Sequence, residues 1–125
     1  MTENDISYKI RGAIFIVYNE LGPGLLESVY EAALSYQLEM EGLNVKTQVP
    51  IPVIYGDKKL ELGFRLDLLV EDLVIVEIKS VEAVADVRHK QLLTYLKLTG
   101  KKLGLLVNFN TDDISKSIFR KVNNL

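Results

Sequence analysis

The sequence has no cysteine, only one histidine and only three prolines. Without thiols there is no disulfide, thiolate zinc site or cysteine nucleophile, and one histidine cannot build a multi-histidine metal centre. No apolar run approaches the about 18 residues that a membrane span needs. The start, Met1-Thr2-Glu3-Asn4-Asp5, lacks the basic opening and apolar stretch of a signal peptide, so a cytoplasmic protein with no membrane partner is expected. There is no GxxxxGK[ST] phosphate loop, no GxGxxG, and no nucleophile motif beside His89, which leaves nucleotide hydrolysis, dinucleotide binding and serine hydrolysis without support. Repeats, low-complexity tracts and linkers are missing as well. Any chemistry must rest on carboxylates, hydroxyls, amides and lysines.

What is present suits one globular domain. At 125 residues, 48% hydrophobic and 26% charged, the chain is neither disordered nor fibrous, and a single domain over residues 1–125 is expected. Surface scaling puts about 6,700 Å² at the surface of a folded chain of this size, with roughly two-thirds of the extended-chain surface buried. The net charge of −2 argues against bulk polyanion coating. It is unevenly spread, however. Residues 1–42 carry 2 basic and 7 acidic side chains, whereas residues 84–125 carry 8 basic and 3 acidic, so a polyanion could meet a locally basic face.

Apolar positions at Ile6, Ile10, Ala13, Ile14, Val17 and Leu21 predict a helix over residues 5–21, broken by Gly22-Pro23-Gly24. Pro23 suits the first turn of a second helix, which should run to about Glu41 before Gly42 stops it. From Val45 the period shortens to that of strands. The first is confined to a sheet edge or its flank by Pro50 and Pro52 and turns at Gly56-Asp57, and the second covers about Leu60 to Val70. The third, Leu73 to Lys79, is apolar on both faces and should be central. A third helix over Ala83–Thr99, a strand Leu103–Phe109 and a short final helix within Asp113–Val122 complete a mixed α/β domain with helices on both faces of one sheet.

Several residues break this pattern. Asp67 interrupts an apolar strand, and Glu77 and Lys79, two apart, project from one face of another. If the numbers of facing residues in these two antiparallel strands sum to 144, Asp67 lies opposite Glu77 with Cβ atoms about 5 Å apart, whereas a sum of 143 sends the carboxylates to opposite faces. Two carboxylates that close call for a cation, either a divalent metal or Lys79 in a salt bridge that merely ends two strands. Glu27 shares a helical stripe with Tyr30, Leu34 and Leu38 and should point partly inward, although a first-turn glutamate also suits the helix dipole. Gln91, on a stripe with Val84, Val87, Tyr95 and Leu98, needs polar partners, such as a lysine, a water, a phosphate or a strand-end carbonyl. His89 is expected to be solvated. Arg88 and Lys90 beside it could touch phosphates, or simply be solvated helix charges.

Five segments together resemble a known family. Gly24-Leu25-Leu26-Glu27-Ser28-Val29-Tyr30 resembles the GxxExxY signature. Gly63–Val70, Val76-Glu77-Ile78-Lys79, Gln91–Leu96 and Gly104-Leu105-Leu106-Val107-Asn108-Phe109 continue the match in order, from about Asn19 to Phe109. That family is grouped with the PD-(D/E)xK nuclease superfamily. The resemblance implies a restriction-endonuclease-like core of order αβββαβ, agreeing with the order read from periodicity. It also places Asp67, Glu77 and Lys79 on the D…ExK positions, Glu27 on the helical acidic position and Gln91 on the helical glutamine. Leu66 stands where the superfamily name has proline. Arg88 occupies the position three before the glutamine, where a histidine often stands, so His89 stays outside the implied site. The function so implied is a Mg²⁺- or Mn²⁺-dependent nuclease. Asp67, Glu77, the main-chain carbonyl of Ile78 and Glu27 are expected around the metal, with Lys79 and Gln91 as further catalytic groups. Nucleic acid is the expected partner, and a homodimer would place two sites on a duplex. The alternative is a catalytically silent nuclease-like module that binds nucleic acid or protein.

Overall fold

The computed structural model describes the backbone of residues 1–125 and all side chains except those of Glu61 and Leu62. Two helices come first, α1 (Glu3–Leu21) and α2 (Glu27–Met40), followed by strands β1 (Val45–Tyr55), β2 (Lys58–Val70) and β3 (Val74–Lys79). Helix α3 (Asp86–Thr99), strand β4 (Leu103–Asn108), a 3₁₀ turn at Ile114–Lys116 and strand β5 (Ile118–Val122) complete the chain.

Helix α1 starts where Thr2 accepts a hydrogen bond from the Asp5 amide while the Asp5 carboxylate accepts one from Thr2, a reciprocal cap that satisfies two free amides. Its apolar stripe is buried at Ile6, Ile10, Ala13, Ile14 and Val17, but Leu21 is partly exposed at the helix end. Pro23 lies in the bend between the helices rather than in the first turn of α2, because the Tyr30 hydroxyl draws this segment into a loop by bonding to Gly22 and Leu25. Helix α3 begins at Asp86, not Ala83. It buries Leu92, Tyr95 and Leu96, while Val87 and Leu98 are exposed, so its inward stripe is rotated from the one expected through Gln91.

The five strands lie in chain order, β1-β2-β3-β4-β5, with β3 central. Only β3 and β4 are parallel, joined by α3, and the other pairs are antiparallel. Tyr30, Leu34, Leu38 and the α1 stripe cover one face, packing on Leu68, Val70, Val76, Ile78, Leu105 and Val107. Helix α3 covers the other face, over Leu66, Leu69, Ile75 and Leu106. The mixed α/β architecture with helices on both faces is therefore as expected. The final helix is not: residues 114–116 form a single 3₁₀ turn, and Ile118–Val122 pairs along β4. Strand pairing prevails because Ile118 packs on one sheet face and Phe119 on the other, an alternation that a helix would lose.

Strands β1 and β2 extend beyond the rest of the sheet. Their ladder runs out to Tyr55 opposite Lys58, whereas β2 pairs with β3 only through Leu68, Leu69 and Val70. A two-stranded ribbon thus projects from the sheet just before Asp67. The exposed surface of 7271 Å² exceeds the about 6,700 Å² typical for this mass, as a projecting arm requires.

Candidate active site

The facing residues of β2 and β3 sum to 144: Leu68 with Val76, Leu69 with Ile75, Val70 with Val74. Continued one step, this register sets Asp67 against Glu77. There the ladder ends and side chains take over. The Asp67 N–H donates to Glu77 Oε2 at 3.0 Å, and the Ile78 N–H donates to Asp67 Oδ2 at 2.8 Å. The strands part at this point because β2 changes its facing: Leu66 packs under α3, but Leu68 packs under α1 and α2. Gln48, across from Asp67 on β1, is in the left-handed region at φ 51°. Two carboxylates thus bridge the gap that opens between the strands.

Glu77 is 7% exposed. Burial, and next the Asp67 carboxylate, push its acid up to about 9, against the pull of the Asp67 amide and of Lys79. Tyr95 of α3 flanks the pair, its phenol pushed up to about 12 by burial and then by Glu77 and Asp67. Among the described residues the ion pairs are Lys46–Asp72 and Lys116–Asp113, so Lys79 forms no salt bridge with Asp67 or Glu77. The plainer alternative, a triplet ion pair capping two strands, is absent from this geometry.

The other expected groups spread around this pair. Glu27 is exposed at the start of α2, and its Oε2 accepts the Ser80 N–H at 3.0 Å, which carries it across to the end of β3. Glu27, Ser28, Glu31, Gln48, Asp67 and Ile78 line a cleft of about 160 Å³. Gln91 accepts from Arg88 at 3.5 Å and has no hydrogen bond to Lys79 among the described residues. His89 is half-buried rather than solvated, packed edge-on to Phe119 with centroids 4.8 Å apart. Sequence reading assigned no role to Gln48, Ser80 or Asn108. Asn108 had a visible signal, an amide closing the apolar run Leu103–Val107, whereas Gln48 and Ser80 had none.

The donors fit a hard divalent cation in kind: the Asp67 and Glu77 carboxylates, a strand carbonyl and Glu27, although Glu77 itself does not line the cleft; among the described residues no cation forms a salt bridge with Glu77. As the side chains stand, no group of three or more acidic or histidine residues among the described residues is gathered tightly enough to hold an ion. Asp67 Oδ2 and Glu77 Oε2 are each occupied by a main-chain amide.

Sheet, helices and acidic strand ends define a restriction-endonuclease-like α/β domain. The family model described as the PD-(D/E)XK nuclease superfamily matches residues 4–121, and the chain belongs to that superfamily. The solved structure "Crystal structure of SSO0001" superposes with a TM-score of 0.58 at 24% identity, over 79% of this chain and 51% of that one. The chain therefore spans about half the length of that protein, and the likeness is one of fold. No curated protein matches the sequence. Among the described residues, no helix is long and apolar enough to cross a membrane.

Proposed function

We propose that the chain is a metal-dependent nuclease, hydrolysing phosphodiester bonds of DNA or RNA. The observation that carries this reading is the 144 register, which sets Asp67 against Glu77 where β2 and β3 part, with Lys79 two residues further on and unpaired with either acid. Asp67, Glu77 and the Ile78 carbonyl, with Glu27 across the cleft, would hold Mg²⁺ or Mn²⁺. Such an ion, when bound, supplies a Lewis acid and lowers the pKa of its water. Lys79 orients the attacking water or stabilises the charge that grows on the phosphoryl oxygens as the ester P–O bond breaks. Gln91, bonded to Arg88 on α3, would hold Lys79 or the water when substrate is bound. Nucleic acid is supported as the substrate by superfamily membership and by the exposed cations Arg65, Arg88 and Lys90 on β2 and α3, which supply phosphate contacts.

Incubation of the purified protein with single- and double-stranded DNA and RNA in Mg²⁺ and Mn²⁺ tests the reading. Products are expected from the wild type, with losses of at least about 10³-fold in Glu77→Ala and Lys79→Ala. Product from Lys79→Ala at the wild-type rate would contradict the role given to the lysine. The engagement of both carboxylates by main-chain amides favours one rival, a binding module without turnover. That rival predicts retained nucleic-acid affinity and no product in any divalent metal.

A further inference from the structure

Asn108 ends β4 at 5% exposure, and its side-chain amide makes three hydrogen bonds. Its Oδ1 accepts from the Val81 N–H at 3.1 Å and the Asn110 N–H at 3.2 Å, and its Nδ2 donates to the Val81 carbonyl at 2.8 Å. Lys79 is its neighbour across the parallel ladder, and the Lys79 carbonyl accepts from the Phe109 N–H at 2.9 Å. Ser80, between them, is fastened from the helical side. Its N–H donates to Glu27 and its hydroxyl donates to the Leu25 carbonyl at 2.6 Å.

Leu25 is itself held. Its N–H donates to the Tyr30 hydroxyl at 3.1 Å, and that hydroxyl donates to the Gly22 carbonyl at 2.6 Å. The Tyr30 ring stacks on Phe109 with centroids 4.3 Å apart and planes within 4°. Gly24 turns the loop at φ 95°, where a side chain would be strained. The Gly24–Tyr30 segment and the Asn108-Phe109 pair therefore meet at one place, the two residues that follow Lys79. A chain leaving a strand ordinarily takes its hydrogen bonds from water. Here the Ser80 N–H, the Ser80 hydroxyl, the Val81 N–H and the Val81 carbonyl all have partners from distant parts of the sequence.

We infer that Asn108 and Ser80 are positioning residues, which clamp Lys79–Val81 so that the Lys79 amine and the Ile78 carbonyl stay fixed against Asp67 and Glu77. The catalytic half of this inference rests on the nuclease reading, and the clamp itself does not. Fixing matters because a displacement of about 1 Å in a reacting constellation can cost on the order of 100-fold in rate.

Amide hydrogen exchange on the full chain reads the clamp without turnover. The Ser80 and Val81 amides are expected to be protected in the wild type. In Asn108→Ala, Val81 should lose at least about tenfold of that protection while the β3 and β4 interior keeps its own. Because Asn108 is buried, Ser80→Ala serves as the second variant. It removes one hydrogen bond, from the half-buried Ser80 hydroxyl to the Leu25 carbonyl, and should loosen the same segment in a fully folded protein. On a substrate that the wild type cuts, both variants should lower kcat roughly 10- to 100-fold with KM unchanged, the mark of lost geometry rather than lost binding. Val81 exchange that is fast in the wild type, or untouched by Asn108→Ala, overturns the clamp. A raised KM at constant kcat overturns the positioning role. A wild type that cuts nothing overturns the nuclease reading and the catalytic half with it, while the exchange result still decides the clamp.

Discussion

At the residue scale, the account turns on Glu77. Its acid stands at about 9 against an ordinary 4.5, raised by burial and by the neighbouring carboxylate. The folded chain therefore holds this proton more tightly than the unfolded chain, so its contribution to stability is fully present below about pH 4.5 and is lost as the pH rises toward 9. In EDTA, wild-type melting should fall across this window relative to Glu77→Gln, which cannot ionise; parallel curves would show that Glu77 does not carry the effect. A divalent cation favours the ionised form, so Mn²⁺ should raise the melting temperature more at pH 8 than at pH 5.5. That difference should vanish in Glu77→Gln. Asp67 plays the complementary part, substituting a carboxylate oxygen for the strand partner that the Ile78 amide has lost.

At the level of elements, packing decides what the side chains at the sheet end can reach. Helix α3 approaches β4 so closely that a Cβ on Gly104 would lie 2.8 Å from the Leu92 side chain. Gly104→Ala should destabilise the fold by about 1–3 kcal/mol in denaturant melts, and the double substitution with Leu92→Ala should cost less than the sum of the two single losses. Helix α1 holds the other face, and Ile10→Ala, at a fully buried position, should cost about 2–5 kcal/mol. Much of this architecture was legible from spacing alone: the stripe of α1, the doubly apolar β3 and the proline-marked edge strand β1 all carry a period or a breaker. The tail was misread because Ile118–Val122 is too short for its period to distinguish a basic-sided helix from an edge strand, and only β4 beside it settles the choice. In α3 the apolar residues are spread around the helix, so the phase of its buried side was not set by Val87 and Leu98. The Asp67–Glu77 approach was legible as a conditional: the residue types were visible, but their meeting required the 144 register that the turn at Glu71-Asp72-Leu73 supplies. The links of Ser80 to Glu27 and of Val81 to Asn108 span 53 and 27 residues of sequence, and no local pattern announces contacts of that kind.

For the whole molecule, the uneven charge and the projecting ribbon suggest how a small acidic protein would meet a polyanion. Lys58 and Lys59 lie exposed at the ribbon's tip, where β1 turns into β2, and Arg65 lies exposed nearer its base. A two-stranded ribbon has the dimensions to enter a major groove. Lys58→Glu with Lys59→Glu should weaken duplex binding at least about tenfold and flatten its salt dependence, without changing hydrolysis of a small chromogenic phosphodiester. Unaltered duplex affinity would place the substrate elsewhere.

The most direct test of the central claim is a crystal structure grown with Mn²⁺, read by anomalous scattering from the metal. The account predicts one peak bounded by the Asp67 and Glu77 carboxylates and the Ile78 carbonyl, with Lys79 beside it and the peak lost in Asp67→Ala. Density showing the Lys79 ammonium seated between the two carboxylates, with no metal there at millimolar Mn²⁺, would contradict it.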